Sequence, residues 1–311
     1  MKIFFSVLCL SALLFTACKK NNDVQPASAD AANENSKLAV DATYASYKVI
    51  AGASGQSGFQ NGNGNKARFN SPRGIWVNKD GSLLVADHSN DAIRKLTSDT
   101  VVTTLNVPKT SNNESLSGPD GIAALNDGTV GMTDGNGIWF YKPNNNTLSH
   151  YITNFHESIT DIDANPDGSY FWFTNNYKLG YTQGNNVWEA KYSVNDTDYD
   201  PLYSVSACAN GRKYTIGYEN IYALNADGSH STLFPYLTFK GLGDIVVSKD
   251  GSKIYFIENG DIKMIENCYR CQIKKTTLAI RTKASYLALA NSGRFLYFTS
   301  SYYNTVNKLT L

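Results

Sequence analysis

Residues Gly58–Leu96 read GFQNGNGNKARFNSPRGIWVNKDGSLLVADHSNDAIRKL. A Gly/Asn-rich lead-in runs into Ala67-Arg68-Phe69 and then Ser71-Pro72-Arg73-Gly74. A short apolar run, Ile75–Val77, meets Asp80-Gly81; a second, Leu83–Ala86, ends in Asp87; Asn90, Ile93 and Arg94 close the stretch. Asp-Gly and Asn-Gly supply the positive φ that tight hairpins require, so this stretch predicts short antiparallel strands around one sharp turn. The same device recurs at Asp127-Gly128, Asp167-Gly168, Asn210-Gly211, Asp250-Gly251 and Ser292-Gly293, at intervals of 47, 40, 43, 40 and 42 residues counted from Asp80. A repeat of about 40–45 residues with four short strands per unit is the signature of a β-propeller.

Six units follow from the turns, and the fold class expected is all-β, a six-bladed β-propeller. The sixth unit has strands at Tyr286–Ala290, Phe295–Thr299 and Val306–Leu309, after which the chain ends without a fourth. The segment Tyr47–Ala51 has strand character and precedes the first unit. It is expected to supply the outer strand of the last blade, because an open ring would expose unpaired strand edges at both ends. Stacked blades bury both faces of their inner strands, which accounts for continuous apolar runs such as Leu83–Val85, Ile245–Val247 and Tyr255–Ile257. No segment sustains a 3.6-residue period, so helix should be nearly absent.

The opening unit resembles the NHL repeat. In that repeat a Pro-x-Gly-Ile-x-Val segment, an Asp-Gly turn, a Leu-Val-Ala-Asp strand and an Asn-x-x-Ile-Arg strand form one propeller blade. Units one and two carry Pro-x-Gly-Ile at Pro72–Ile75 and Pro119–Ile122; unit three keeps Ile162-Asp163 and Asp167-Gly168; the rest follow by spacing and turn. The resemblance implies a propeller whose ligands sit at one end of the ring. Relatives of that architecture include calcium-dependent lactonases, amidating lyases and streptogramin lyases as well as non-catalytic binding modules.

The chain has 311 residues, 42% hydrophobic and 18% charged, with a formal net charge of +1. A balance this even provides no long-range attraction for nucleic acid, and no nucleic-acid partner is expected. Residues 1–17 read as a signal peptide: Lys2 precedes an apolar stretch, Ile3 to Phe15, too short to span a bilayer as a helix. Leu14-Phe15-Thr16-Ala17-Cys18 resembles a bacterial lipobox, although Phe15 departs from the usual Leu or Val. That resemblance implies a lipoprotein acylated at Cys18 and held on the cell envelope, at the outer membrane, through its lipid alone. Residues 18–44 are rich in Asn, Ala, Ser and Asp and read as a flexible tether. Residues 45–311 form the propeller. Cys268 and Cys271 in Cys-Tyr-Arg-Cys would form a structural disulfide in an oxidising compartment. A lone CxxC outside a thioredoxin-like pattern points to neither redox catalysis nor a zinc ribbon.

Innermost strands begin, and second strands end, at one end of the ring, here called the top; the Asp-Gly turns lie at the other. Candidate ligand-binding residues at the top are Arg73, Asp120, Asp161 and Asp244 at the start of inner strands, with His88, Tyr177, Tyr218, Glu219 and Glu258 after second strands. His156 could reach the same end. Tyrosine faces with amide and carboxylate neighbours suit a glycan, a peptide or a protein loop. Asp120, Asp161 and Asp244 recur at one register position and could ring the axis, either lining a wet channel or holding a hard cation. Asp87 and Asp134 end strands where a carboxylate commonly ties loop N–H groups. No Gly-x-Ser-x-Gly elbow, P-loop or HExxH is present. The expectation is a binding module without catalytic residues or a cofactor. The competing reading is a metal-assisted lyase or lactonase in which His88, His156 and the axial carboxylates hold Ca²⁺ or Zn²⁺.

Overall fold

The computed structural model describes residues 44–152, 158–175, 178–184, 186–193, 201–225, 229–267 and 273–311. The signal segment, the tether up to residue 43 (Cys18 included), His156, Tyr177, Cys268 and Cys271 lie outside these residues. Strand β1 (Tyr47–Gly52) comes first, then a short β2 (Gly62–Asn63). Blade one is β3 (Pro72–Val77), β4 (Leu83–Asp87), β5 (Ala92–Leu96) and β6 (Val101–Thr104). Blade two is β7 (Ile122–Ala124), β8 (Val130–Thr133), β9 (Gly137–Lys142) and β10 (Thr147–Ile152). Blade three is β11 (Ile159–Ala164), β12 (Phe171–Asn175), β13 (Lys178–Gln183) and β14 (Asn186–Ser193). Blade four is β15 (Ser204–Ala207), β16 (Lys213–Ile216), β17 (Ile221–Leu224) and β18 (His230–Leu233). Blade five is β19 (Leu242–Val247), β20 (Lys253–Glu258), β21 (Asp261–Glu266) and β22 (Lys275–Ala279). Blade six contributes β23 (Tyr286–Leu289), β24 (Phe295–Ser300) and β25 (Thr305–Thr310). The fold is a six-bladed β-propeller.

The latch forms as the sequence predicts. Strand β1 pairs antiparallel with β25, Tyr47 opposite Leu309 and Val49 opposite Asn307, so blade six has the order β1-β25-β24-β23. One feature goes beyond the sequence reading. The Gly/Asn-rich lead-in is not a bare linker: β2 pairs with β6, Gly62 opposite Val102, and gives blade one a fifth strand. Helix is confined, among the described residues, to single 3₁₀ turns at Gly64–Lys66 and His88–Asn90.

The six turns show why the repeat is visible. Gly81, Gly128, Gly168, Gly211, Gly251 and Gly293 all have positive φ, between 67° and 87°. In each turn the residue before the glycine accepts the N–H of the residue after it: Asp80 from Ser82, Asp127 from Thr129, Asp167 from Ser169, Asn210 from Arg212, Asp250 from Ser252 and Ser292 from Arg294. A short polar side chain and a residue free to adopt positive φ are both required at these two positions. Apolar packing is equally periodic. Each seam between consecutive blades holds one buried cluster; that between blades one and two joins Leu84, Ala86 and Ile93 to Ile122, Met132 and Trp139. The seam between blades six and one joins Ala51, Ala288 and Val306 to Ile75, Val85 and Leu96, so the latch strand contributes to the core as well as to the ladder.

Candidate functional site

The inner strands approach the axis with one edge unpaired within their own blades. In blades four to six that edge is satisfied from the preceding blade. Asp161 and Asp163 on β11 accept the backbone N–H groups of Val205 (3.0 Å) and Ala207 (2.8 Å) on β15. Ser204 and Ser206 on β15 accept those of Ile245 (3.3 Å) and Val247 (3.1 Å) on β19. Asp244 on β19 accepts that of Leu287 (2.6 Å) on β23. The Ser204 hydroxyl also lies against both Asp161 and Asp244 and joins the two carboxyl groups. Register shifts inside β11 and β19, between Ile159 and Ile162 and between Leu242 and Ile245, place Asp161 and Asp244 at these positions; such irregularities re-aim side chains.

Burial dominates the electrostatics here. It raises the Asp161 carboxyl to about 6 against the hydrogen bonds from Val205 and Ser204. It raises Asp163 to about 7, with Asp161 adding to the rise, and pushes Asp244 well above the usual carboxylate range, again with Asp161 adding. Burial also raises the Tyr286 hydroxyl well above its ordinary value, reinforced by Asp120, Asp161 and Asp244. Tyr286 belongs to blade six, yet its hydroxyl faces the Thr160 carbonyl of blade three at 3.4 Å. Those blades stand opposite each other in a ring of six, so the tyrosine spans the axis and stoppers it.

Of the expected ring of axial carboxylates, Asp161 and Asp244 line the axial cavity and Asp120 does not. Asp161 and Asp244 are inter-blade ties, and Asp120 turns to Arg73, whose Nη1 lies 2.5 Å from Asp120 Oδ1. No group of three or more His, Cys, Asp or Glu side chains among the described residues is placed to hold one metal ion. His88 does approach this pair: its Nδ1 is 3.3 Å from the Pro119 carbonyl and 3.8 Å from Asp120 Oδ1. Glu258 is not a free top-face group. It is buried and bridged to Lys263 (2.7 Å) and Lys275 (2.8 Å). Burial opposes its ionisation, but the two lysines outweigh burial and hold it below the usual glutamate range. Asp87 is fully buried and accepts from Asn70, Asn90 and Arg94. Asp134 accepts from Asn136, Gly137 and Trp139. Both are the loop ties their positions suggest. Tyr218 and Glu219 lie exposed in the loop after β16.

The top rim is aromatic. Tyr218 is 61% exposed, Tyr236 97% and Tyr302 72%, in the loops after β16, before β19 and after β24. Tyr236 was not among the sequence candidates, because the loop joining blades four and five carries no repeat motif. The opposite face is where the ring opens. A well of about 990 Å³ is walled by the ends of the inner strands, with Trp76, Leu125, Ala164, Ala207, Val247 and Leu289 on its sides. It meets an axial cavity of about 120 Å³ lined by Asp161, Asp163, Asp244 and Tyr286; Trp76, Asp163 and Ser206 border both. The well lies at the turn face, opposite the end where a funnel is expected, and toward the top Tyr286 crosses the axis and Arg73 pairs with Asp120.

No family model matches this chain. No curated protein matches it either. Solved propellers are similar in structure. Virginiamycin B lyase from Staphylococcus aureus superposes with a TM-score of 0.58 at 16% identity, covering 86% of this chain and 100% of that one. A gluconolactonase from Xanthomonas campestris gives 0.58 at 12% identity, covering 78% and 86%. A propeller in the nidogen/laminin complex gives 0.53 at 14% identity, covering 70% and 85%. At these identities the likeness is one of fold, and the fold is shared by lyases, lactonases and a protein solved bound to another protein.

Proposed function

We propose that this protein is an NHL-type propeller that works as a binding module rather than a catalyst, displayed from the cell envelope by a lipid on Cys18. The observation that carries the reading is the aromatic top rim. Three tyrosines more than half exposed stand on top-face loops between blades four and six, where a folded chain would otherwise place polar residues. Exposed aromatic side chains are favoured at contact surfaces because they offer a large rigid face with a polar tip. The ligand is a glycan, peptide or protein loop that stacks on Tyr218, Tyr236 and Tyr302. Asp161 and Asp244, the groups on which axial chemistry would depend, already tie the blades together. Glycan-array and pull-down binding by the Tyr218→Ala and Tyr302→Ala variants tests the assignment. Each should weaken the parent's binding at least tenfold, and a ligand held equally by both variants would place the site elsewhere.

A second reading rests on His88, the one described histidine that lies beside the Arg73–Asp120 pair. In that reading the protein is a metal-assisted lyase or lactonase, as two of the similar structures are named. Bound Zn²⁺ or Ca²⁺ in purified protein, lost with His88→Ala, would support it. Metal-free protein whose ligand binding is unchanged by chelator removes it. Cell-envelope attachment is tested separately: Cys18→Ser should abolish fatty-acid labelling and release the protein from the membrane fraction.

A further inference from the structure

The turn-face well is not part of the rim described above, and its lining selects a chemistry of its own. It narrows at depth into the cavity of about 120 Å³, where Tyr286 crosses the axis. Its side walls are largely apolar, and Trp76 presents an indole along the wall that borders both the well and the inner cavity. The amides near the mouth are already engaged. Asn126 donates to the Asp167 carbonyl, Asn291 to the Asn78 carbonyl, Asn78 to Ser82, and Asn165 accepts from Trp172. A sugar, which needs many free donors and acceptors around its ring, finds few here. An anion would meet Asp161, Asp163 and Asp244 at the inner end, none of which is ion-paired to a basic side chain among the described residues. Asp163 keeps partial access to the cavity, whereas Asp161 and Asp244 are buried behind it.

We propose that this well binds an amphipathic organic cation, a primary ammonium on an apolar body, with the ammonium at Asp163 and the body against Trp76 and the aliphatic wall. The fit follows from three features acting together: a narrow inner end, an apolar shaft and acid groups at depth without a countercharge. An entering ammonium supplies that countercharge. A cation beside a carboxyl favours its ionised form, so binding near neutral pH expels a proton from Asp163. The charged and titratable groups facing the site are Asp161, Asp244 and Tyr286 at the inner end and Lys79, Asp80, Lys249 and Asp250 at the mouth.

The test uses n-hexylammonium and its neutral counterpart 1-hexanol, titrated into the mature protein at pH 7 and followed by tryptophan emission and calorimetry. The ammonium should bind at least tenfold more tightly than the alcohol, and Trp76→Phe should remove the emission change. Heats measured in two buffers of different ionisation enthalpy should differ, reporting proton release. Asp163→Asn should weaken the ammonium at least tenfold and abolish the buffer dependence. Ala124→Phe and Ala290→Phe, each narrowing the well at a residue with no bond to a carboxyl group, should block both ligands. Should either variant unfold, the other serves, with the melting profile as the check. Equal binding of alcohol and ammonium, no binding by the parent, or ammonium binding untouched by Asp163→Asn overturns the proposal. Tyr218→Ala separates the two sites: it should leave hexylammonium binding unchanged whatever becomes of the rim.

Discussion

Asp163→Asn should stabilise the propeller in alkaline solution and leave it unchanged in acid. Burial lifts the Asp163 carboxyl from 3.8 to about 7 in the folded chain. At about 1.4 kcal/mol per unit, that rise corresponds to about 4 kcal/mol between the two protonation states. The side chain borders a cavity roomy enough for water, and solvent screening reduces the effect, so about 1–2 kcal/mol is the expected net. The direction follows from linkage. A group whose folded value lies above its unfolded value contributes stability that is fully present below about 3.8 and lost as pH rises through about 7. Asparagine keeps an oxygen for the Ala207 N–H, 2.8 Å away, and carries no charge at any pH. Thermal unfolding followed by circular dichroism at pH 4 and pH 8.5 reads the outcome. At about 2–4 °C per kcal/mol for a domain of this size, the variant should melt about 2–8 °C above the parent at pH 8.5 and within a degree of it at pH 4. Asp161 and Asp244 are present in both proteins, so the difference reports Asp163 together with its coupling to Asp161. Two melting curves that keep a constant separation across this pH range, or a variant less stable at pH 8.5, would refute the reasoning.

Three further outcomes follow from the packing. Arg94→Met leaves Asp87, which is fully buried, without its cation; the loss should be about 3–5 kcal/mol, read as the urea midpoint at an unchanged slope. In Gly180→Ala the new Cβ would lie 1.9 Å from Phe173 Cζ, so the middle of blade three must shift at a cost of about 1–3 kcal/mol or more, visible as a lower melting temperature. Deleting residues 44–52 removes the partner of β25 and the Ala51 contact in the last seam; the exposed edge should drive self-association, and a monomeric, cooperatively melting product by size-exclusion chromatography and calorimetry would show that the ring closes without it.

What the sequence discloses and what it conceals divide along a physical line. The Asp-Gly turns are legible because each is a local device: a side-chain acceptor two residues before the N–H it binds, and a glycine at positive φ between them. Apolar strands are legible because both blade faces are covered, and the missing fourth strand of unit six was legible as a deficit that Tyr47–Ala51 could fill. The axial contacts are not local. Asp161 binds an N–H 44 residues away, and Tyr286 reaches a carbonyl 126 residues away. A register position identifies such residues but cannot say which way they turn. Asp120, Asp161 and Asp244 share one position in the repeat; Asp120 pairs with Arg73, while the other two meet the next blade. Strand β2 was hidden for a different reason. Gly62 and Asn63 have low strand preference, and they are held in place by Arg94, which reaches back to the Gln60 carbonyl and the Asn61 side chain.

The axial ties also bear on where function can reside. An inner strand at the centre of a ring has backbone donors that no strand of its own blade can reach, and an unsatisfied buried donor costs about 1–3 kcal/mol. Here Asp161, Asp163, Ser204, Ser206 and Asp244 meet five such donors. A substitution that freed Asp161, Asp163, Ser206 or Asp244 would strand an N–H in the next blade, whereas the Ile245 N–H opposite Ser204 keeps the Asp244 carboxylate at 2.8 Å. Tyr286 crosses the axis beside that acidic interior, and the turn-face well opens onto it. The tyrosines of the rim and the indole of the well consequently belong to surfaces that do not communicate through the axis. Variants at Tyr218 and at Asp163 should therefore have independent effects on ligand binding, and a double variant whose loss differs from the sum of the two singles by more than about 0.5 kcal/mol would show that the stopper transmits what its geometry should block.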